Sequence, residues 1–328
     1  MTNLRAGLVG LGMMGQNHAR VLSSLSGVDL VAVADPQGDT RSILPEHEIL
    51  SSIEEVISKD LDYCVVAAPT AFHEEISMKL IDAGIHVLIE KPIAHTVESA
   101  TRIEAAAKDK GIIGAVGHIE RFNSALQQAR SRIKAGELGE IYQISTRRLG
   151  PFPSRIADVG VIMDLATHDI DLTAWIAGSL YKSVSAQSAI RSGRVHEDLV
   201  AIVAQMSNGI VVNHLVNWLS PLKERKTIIT GEKGTYVVDT LTSDLTFYAN
   251  GTVNVSQDRI AHFKGVSQGD IHIFAFDKPE PLRLEHENFR DAVLGKDVSI
   301  VTLTEGTKTV SVAAAVLESI NKQETIRI

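Results

Sequence analysis

Gly10-Leu-Gly12-Met-Met-Gly15 is the stretch of this 328-residue sequence that decides its fold. An apolar run, Leu4–Val9, precedes it, and a helical pattern over residues 18–25 follows it. In such a turn the first glycine permits a sharp bend, the second lets a pyrophosphate approach the backbone, and the third lets helix pack on strand. The N–H groups at the start of the helix then attract phosphate oxygens. The stretch therefore predicts a dinucleotide site formed by Gly10, Gly12, Met13, Met14 and Gly15.

Asp35 indicates which dinucleotide binds. It closes the next apolar run, residues 30–34, where a carboxylate accepts hydrogen bonds from the ribose hydroxyls. A carboxylate there repels a 2′-phosphate, and Pro36 stands where an arginine would assist NADP. We therefore expect NAD rather than NADP. NADP remains an alternative because Arg41 is close enough in sequence to bind a 2′-phosphate.

The order of patterns predicts an α/β protein of two domains. Short apolar runs of strand length alternate with helical patterns up to about residue 120, which is typical of a doubly wound parallel sheet covered on both faces. Longer alternating segments follow, which predict an α+β domain with a large, mostly antiparallel open sheet. Asn208-Gly209 and Asn250-Gly251 read as hairpin turns within it. We assign residues 1–120 to an NAD-binding Rossmann domain and residues 121–328 to a substrate-binding and oligomerisation domain.

Composition excludes several classes of protein. The net charge is −8, so a broad basic surface for nucleic acid is not expected. No stretch is apolar enough to span a membrane, and no signal peptide is evident, so we expect a cytoplasmic protein. The single cysteine, Cys64, lies in an apolar run and is predicted to be a buried strand residue.

Three further motifs carry chemistry. Glu90-Lys91-Pro92 follows a short strand pattern, so Lys91 is expected at the carboxyl end of a parallel strand, where such sheets bind ligands. Ala68-Pro69-Thr70 with His73, and Asp164-Leu-Ala-Thr-His168-Asp169, are the other two. Together with the glycine turn, over essentially the whole chain, they resemble the glucose–fructose oxidoreductase/inositol dehydrogenase/MocA (Gfo/Idh/MocA) family. The resemblance implies cofactor contacts from these residues: Ala68, Pro69, Thr70, His73, Glu90 and Lys91.

The resemblance also implies nicotinamide-dependent chemistry at a sugar or cyclitol carbon, with Lys91, Asp164 and His168 as functional residues. Oxidation of a carbinol needs a base for the hydroxyl proton, and histidine has a suitable pKa. Asp164 lies four residues before His168 on a predicted helix, so both share a face. We favour His168 as base and Lys91 as the group that polarises the hydroxyl, although sequence does not decide between them. Asp169 and Asp171 add to this acidic cluster, but this chemistry needs no metal and none is expected.

Two basic stretches indicate the substrate. Gly117–Asn123 contains Glu120 and Arg121, and residues 147–155 contain Arg147, Arg148 and Arg155. They resemble the branch of the family that acts on nucleotide-linked amino sugars such as UDP-N-acetylglucosamine. Arginines suit a diphosphate, and Glu120 and Asp164 suit sugar hydroxyls. The ordinary alternative is that these arginines are solvated or pair with acidic residues such as Asp158 and Glu140.

Two other functions stay open at this stage. One is a dehydrogenase of myo-inositol or a free sugar, and the other is a noncatalytic NAD-sensing protein, against which the intact Lys91, Asp164 and His168 argue. The valine- and isoleucine-rich strand pattern at residues 210–219 has one face without a predicted cover. We therefore expect a homodimer or homotetramer through the C-terminal sheet.

Overall fold

The computed structural model describes residues 3–153, 159–251 and 267–328. The chain forms two compact units. The first comprises Met1–Phe122 with Pro279–Ala314, and the second comprises Asn123–Lys278 with Ala315–Ile328.

The first unit is an alternation of strands and helices. Its strands are β1 Leu4–Val9, β2 Val28–Ala34, β3 Ile49–Leu50, β4 Tyr63–Val66, β5 His86–Glu90 and β6 Gly114–Gly117. Its helices are α1 Met13–Leu22, α2 Ile53–Ile57, α3 His73–Asp82, α4 Val97–Asp109 and, after the second unit has intervened, α7 Pro281–Val293, with 3-10 turns at Thr70–Phe72 and Ile119–Phe122.

These strands form a parallel sheet that confirms the predicted Rossmann fold. Among the described residues its six strands run in the order β3-β2-β1-β4-β5-β6, and every neighbouring pair is parallel. The order reverses after β1, so the edge where β1, β4 and β5 end is the place where such sheets bind ligands. All four residues of β4, Cys64 included, are buried, as expected for a strand covered on both faces.

Helix α7 belongs to this first unit although it comes late in the chain. The sequence analysis assigns all residues after 120 to the second domain, whereas Pro279–Ala314 packs with the first unit. Phe289 of α7 is 1% exposed and lies edge-on to Tyr63 of β4, with ring centroids 5.4 Å apart. An apolar helix face packs on whichever surface is complementary to it. The position of a helix along the chain does not reveal which surface that is.

The second unit is built on a large mixed sheet. Its described strands are β7 Ile141–Pro151, β8 Tyr181–Ala189, β9 Leu199–Met206, β10 Val211–Asn217, β11 Leu219–Gly231, β12 Gly234–Asp239, β13 Asp244–Gly251, β14 Ser267–Phe274 and β15 Ile326–Arg327. Its helices are α5 Ser124–Lys134 and α6 Thr167–Ala177, the latter preceded by a π-helical turn at Ile162–Ala166. Helix α8, Leu303–Lys322, starts in the first unit and ends in the second.

The sheet confirms the predicted second fold class. In the described residues the order is β14-β13-β12-β11-β7-β10-β9-β8-β15, with β7 and β10 parallel and the other neighbours antiparallel. Asn208-Gly209 joins β9 to β10 as a hairpin, and Gly209 has a φ of +91°. The turn predicted at Asn250-Gly251 is wrong, because both residues continue β13 and pair with Gln268 and Ser267 of β14.

No helix in the described ranges is both long enough and apolar enough to cross a membrane.

Candidate functional site

The glycine turn between β1 and α1 has the geometry that a dinucleotide phosphate requires. Gly10 has a φ of +98°, which L side chains avoid, and a Cβ there would lie 2.6 Å from the carbonyl oxygen of Ala67. A Cβ on Gly15 would lie 1.9 Å from the oxygen of Gly10, so only glycine lets α1 approach the turn. A Cβ on Gly12 would meet no atom within 4 Å. The backbone at Gly12 therefore faces open space into which a ligand can fit.

Helix α1 directs its first turn toward this space. It begins at Met13, and its N-cap residue Gly12 offers no side-chain oxygen to the free N–H groups. Met13 is 52% exposed and Met14 is half-buried. A helix start with free N–H groups attracts an anion. The space beside Gly12 together with this helix start fits the pyrophosphate of NAD.

Asp35 follows β2 and touches the glycine turn. Its Oδ2 accepts a hydrogen bond from the backbone N–H of Leu11 at 2.7 Å, and its Oδ1 accepts one from Gln37 at 2.8 Å. A carboxylate oxygen accepts more than one hydrogen bond, so both oxygens can still receive ribose hydroxyls. The side chain of Arg41 also lies beside α1, where its Nη1 donates to Gln16 Oε1 at 3.2 Å.

His73 links the ends of two strands. Its Nε2 lies 2.9 Å from the carbonyl oxygen of Ala68, and its Nδ1 lies 3.0 Å from that of Pro92. The ring is 1% exposed, and burial lowers its pKa despite these carbonyls, so it is neutral near pH 7. The structure engages both ring nitrogens of His73 with backbone carbonyls, so His73 supports the segments that carry Ala68–Thr70 and Lys91–Pro92. The cofactor contact that the sequence predicts for His73 stays a prediction.

Glu90 is the last residue of β5, and Lys91 directly follows it. The Glu90 carboxylate is buried; its Oε2 accepts the backbone N–H of Lys91 at 3.0 Å, and its Oε1 accepts from His18 Nε2 at 2.9 Å. Gly117 on the neighbouring strand leaves room, because a Cβ there would lie 3.2 Å from the carboxyl carbon of Glu90. Lys91 is half-buried, and since β1 and β5 are parallel members of one sheet it lies at the same sheet edge as Gly10. Sequence reasoning missed His18, because its partner lies far along the chain.

Asp164 and His168 lie where the helix of the second unit begins. The first turn is π-helical, and its ring is closed by the N–H of Thr167 donating to the carbonyl of Ile162. Residues four apart lie one above the other on a helix, so the two side chains are neighbours. Asp164 is 4% exposed and His168 is half-buried. Such π turns occur often at functional sites.

Glu197 holds the start of this helix, and sequence reasoning missed it. Its Oε1 accepts the N–H of Ile162 at 3.1 Å, while its backbone carbonyl accepts the N–H of Val161 at 3.0 Å. Gly160 makes room for it, because a Cβ there would lie 1.9 Å from Glu197 Oε1. No local pattern could have revealed a cap supplied from a later loop.

Arg148, expected to bind substrate, is buried against the same helix. It is 4% exposed, and its Nε donates to Asp169 Oδ1 at 2.9 Å. Asp169 follows His168 directly, so this ion pair ties β7 to the helix at the residue beside the predicted base. The neighbouring Arg147 also forms an ion pair, from its Nε to Glu224 Oε1 at 2.9 Å.

The other residues expected to bind substrate fall in different places. Arg121 is 5% exposed and its Nη1 donates to Glu305 Oε1 at 2.6 Å, within the first unit. Burial raises the pKa of Glu305, but the charge and hydrogen bond of Arg121 bring it below its ordinary value. Glu305 also accepts the backbone N–H of Thr302 at the start of α8. Glu120 is half-buried beside Arg121. Arg155 lies outside the described residues.

Two groups of predicted residues therefore come together, one in each unit. In the first unit the glycine turn, Asp35, Ala68–Thr70 and Lys91 share the carboxyl edge of the parallel sheet. In the second unit Asp164 and His168 share the first turns of one helix. The first group can hold a dinucleotide and present an ammonium group, and the second can accept a proton.

Two family profiles match this chain, one in each part of the sequence. The profile described as "Oxidoreductase family, NAD-binding Rossmann fold" matches residues 4–118, and the profile described as "GFO/IDH/MocA C-terminal domain" matches residues 126–237.

Individual relatives are named for different substrates. UDP-N-acetylglucosamine 3-dehydrogenase of Acidithiobacillus ferrooxidans is 28% identical over 258 residues, which cover 78% of this chain and 80% of that protein. Inositol 2-dehydrogenase of Corynebacterium glutamicum is 30% identical over 227 residues, covering 66% and 67%. A solved structure of the A. ferrooxidans enzyme superposes with a TM-score of 0.84 at 24% identity, covering 98% of this chain and 99% of that one, which supports the fold.

Proposed function

Since this chain belongs to the Gfo/Idh/MocA family and is an NAD-dependent dehydrogenase of a sugar or polyol CH–OH group, we propose that it oxidises the 3-hydroxyl of a UDP-linked amino sugar such as UDP-N-acetylglucosamine. The observation that carries the proposal is that one chain holds both Lys91, at the sheet edge of the glycine turn, and the helix start with Asp164 and His168. Similarity to a UDP-N-acetylglucosamine 3-dehydrogenase over 78% of the chain supports the substrate.

Each residue has a role that its chemistry allows. NAD, when bound, accepts the hydride from the carbinol carbon. His168 takes the hydroxyl proton, because an imidazole is basic enough near neutral pH. The Lys91 ammonium holds the substrate oxygen and stabilises its developing negative charge. Asp164 orients the imidazole or accepts a hydrogen bond from a neighbouring sugar hydroxyl. The sum is a secondary alcohol and NAD⁺ giving a ketone, NADH and a proton.

The dinucleotide is held by the first unit in this proposal. Gly10, Gly12, Gly15 and the start of α1 bind the pyrophosphate, and Asp35 binds a ribose. Ala68, Pro69 and Thr70 line the same sheet edge, and Glu90 and His73 support the segments from beneath. Nothing in this set of groups requires a metal ion.

The test is a substrate panel with the purified protein. NAD is added with UDP-N-acetylglucosamine, myo-inositol or glucose, and absorbance of the reduced nicotinamide is followed. We expect the nucleotide sugar to give the highest kcat/KM. A higher value with either free polyol would overturn the substrate assignment while leaving the dehydrogenase chemistry intact.

Inositol oxidation is the second candidate, and two observations favour it. Inositol 2-dehydrogenase of C. glutamicum is 30% identical to this chain, slightly above the nucleotide-sugar enzyme. The buried ion pairs of Arg121 and Arg148 also leave fewer free cations for a diphosphate than the sequence predicts. Turnover with myo-inositol in the same panel decides between the two candidates.

A homo-oligomer through the large sheet is a further part of the proposal. The outward face of this sheet carries a row of aligned residues, of whose apolar side chains two are exposed: Val203, Asn213, Ser145, Ile228, Val237, Thr246 and Ile273. Val203 is 56% exposed and Ile273 is 80% exposed. A row of this kind is typical of a subunit interface. Light scattering of the purified protein tests it, with Val203→Asp expected to lower the measured mass to that of a monomer.

A further inference from the structure

A buried polar cluster lies beneath the Glu90-Lys91 segment in the first unit. Its members come from three elements: His18 from α1, Glu90 from β5, and Glu285 and His286 from α7. His18 and His286 are 0% exposed, Glu285 is 2% exposed and Glu90 is 7% exposed. Four ionisable side chains buried together are costly unless they satisfy one another, so this arrangement needs a reason.

Two hydrogen bonds connect three of these side chains in a row. His18 Nε2 lies 2.9 Å from Glu90 Oε1, and His18 Nδ1 lies 2.8 Å from His286 Nε2. The two imidazoles are close, with ring centroids 5.0 Å apart and ring planes at 77°. We name the row His286–His18–Glu90 the buried relay.

The acceptor at one end fixes the first hydrogen bond of the relay. A carboxylate only accepts, so His18 Nε2 carries the proton that it donates to Glu90. The second hydrogen bond joins His18 Nδ1 to His286 Nε2, with one nitrogen donating and the other accepting.

The charges agree with this arrangement. Burial raises the pKa of Glu90, but the His18 hydrogen bond, with the charges of His18 and Lys91, brings it below its ordinary value, so Glu90 is a carboxylate. Burial, together with the charges of His18 and Arg283, lowers the pKa of His286 well below its ordinary value, so this ring is neutral. Burial and the nearby Glu90 raise the pKa of Glu285 well above its ordinary value. One carboxyl of the pair is therefore ionised and the other is neutral.

We propose that His286 and His18 are positioning residues for this dehydrogenase, because the buried relay holds Glu90 in the orientation in which it accepts the backbone N–H of Lys91. Glu90 Oε1 is occupied by the relay, which leaves Oε2 directed at Lys91 N, 3.0 Å away. Helix α7, which comes late in the chain, thereby holds the backbone of Lys91, the residue whose ammonium group faces the substrate in the proposed function. Glu285 takes part as a neutral carboxylic acid, so the negative charge of the two carboxyl groups stays on Glu90.

A metal-binding site is the alternative interpretation of a cluster of two histidines and two glutamates. Within the described ranges no three His, Cys, Asp or Glu side chains are arranged to hold a metal ion. The distances from His18 to His286 and from His18 to Glu90 are instead those of ordinary hydrogen bonds, as the buried relay requires.

The first test reads the relay directly and does not depend on the substrate. Nitrogen-15 labelled histidine in the full-length protein reports the tautomer and protonation of each ring by NMR, with His286→Gln assigning the signal of residue 286. We expect a neutral ring for His286 that does not titrate between about pH 6 and pH 9. Titration of His286 near the ordinary histidine pKa would overturn the relay.

The second test measures positioning and rests on the proposed function. His286→Leu removes the hydrogen-bonding nitrogens of residue 286, whereas His286→Gln keeps a hydrogen-bonding amide at a similar reach. We expect the leucine variant to lower kcat about tenfold with KM and the Kd for NAD nearly unchanged, and the glutamine variant to recover most of the loss. The acid limb of the kcat pH profile should move to higher pH in the leucine variant, because Glu90 loses the support that keeps it ionised.

Phe289→Leu is the matched control, because Phe289 lies on the same helix, is buried to the same degree and takes no part in the relay. It should lower the Tm without moving the pH profile. Equal loss of kcat in all three variants, or an unchanged pH profile in His286→Leu, would assign a merely structural role to His286. If His286→Leu does not fold, the glutamine variant and the NMR measurement decide.

Discussion

Arg148 and Asp169 form a buried ion pair immediately beside His168, with Arg148 Nε 2.9 Å from Asp169 Oδ1 and side chains 5% and 3% exposed. An arginine that sequence predicts to bind substrate is thus engaged with the helix that carries the proposed base. Because a lone charge at this depth is far more costly than the pair, removing one partner has a larger effect than removing both.

Arg148→Met is therefore expected to destabilise the protein by about 3–5 kcal/mol, measured by chemical denaturation. The double variant Arg148→Met with Asp169→Leu should recover most of that loss, since no unpaired charge is left buried. If Arg148 contributes instead mainly by binding a diphosphate, the single variant would keep its stability and raise KM for a nucleotide sugar.

Lys91→Met should lower kcat by about 10²–10³-fold, because the substrate oxygen loses the cation that stabilises its developing charge. The Kd for NAD, measured by fluorescence titration, should change little. Lys108→Met on the exposed face of α4 is the control for loss of one positive charge. Loss of NAD binding in Lys91→Met would show that the lysine serves the cofactor rather than the reaction.

The glycine turn allows a paired prediction. Gly12→Ala should fold normally, because the new Cβ meets open space, yet it should weaken NAD binding on the order of tenfold by occupying the place of a phosphate. Gly15→Ala should destabilise the fold by about 1–3 kcal/mol or more, because its Cβ would collide with the Gly10 oxygen. Thermal melts with and without NAD separate the two effects; equal loss of Tm in both variants would contradict this division.

Glu285 should make the protein less stable as the pH rises. Its pKa in the folded state lies above the unfolded value, so the folded state holds the proton more tightly, and this contribution is lost as the pH rises through the folded pKa. Glu285→Gln keeps the neutral shape and removes the titration. The variant should therefore gain Tm relative to the original protein progressively from about pH 5 upward. Parallel Tm curves for the two proteins would show that Glu285 does not titrate in the folded state.

His214 should have the opposite effect, at acid pH. Burial, together with the charge of Arg148, lowers its pKa to about 3, while Thr146 Oγ1 and Tyr181 Oη lie 2.7 Å and 2.9 Å from its ring nitrogens. The stability it contributes is present above the unfolded pKa of about 6.5 and is lost as the pH falls toward 3. Denaturation of His214→Gln should therefore depend less on pH over this window, by up to about 1.4 kcal/mol per pH unit. An unchanged slope would mean that other groups govern acid unfolding.

The individual strands, helices and turns of this fold can be predicted from the sequence because they depend on residues close together in the chain. The glycine spacing and the apolar strands of the first unit describe one parallel sheet, and Ser52 caps α2 by accepting the N–H of Glu55 three residues along the chain. The alternation in β10 holds equally, since Val212, His214 and Val216 are all buried. The predicted turn at Asn250-Gly251 fails because a turn dipeptide can also continue a strand when a partner strand pairs with it.

The sequence by itself determined the Rossmann unit and the glycine turn with Asp35, which follow from backbone sterics and periodicity acting over a few residues. It also indicated Lys91, Asp164 and His168 as site residues, through the resemblance of their motifs to those of the Gfo/Idh/MocA family. Only the tertiary structure decided that Arg148 pairs with Asp169, that His286 of α7 joins His18 and Glu90, and that Glu197 caps the helix of His168. Each of these contacts joins residues that are distant in sequence. Their formation depends on which surfaces bury one another in the folded chain, and no local pattern of residues records that choice.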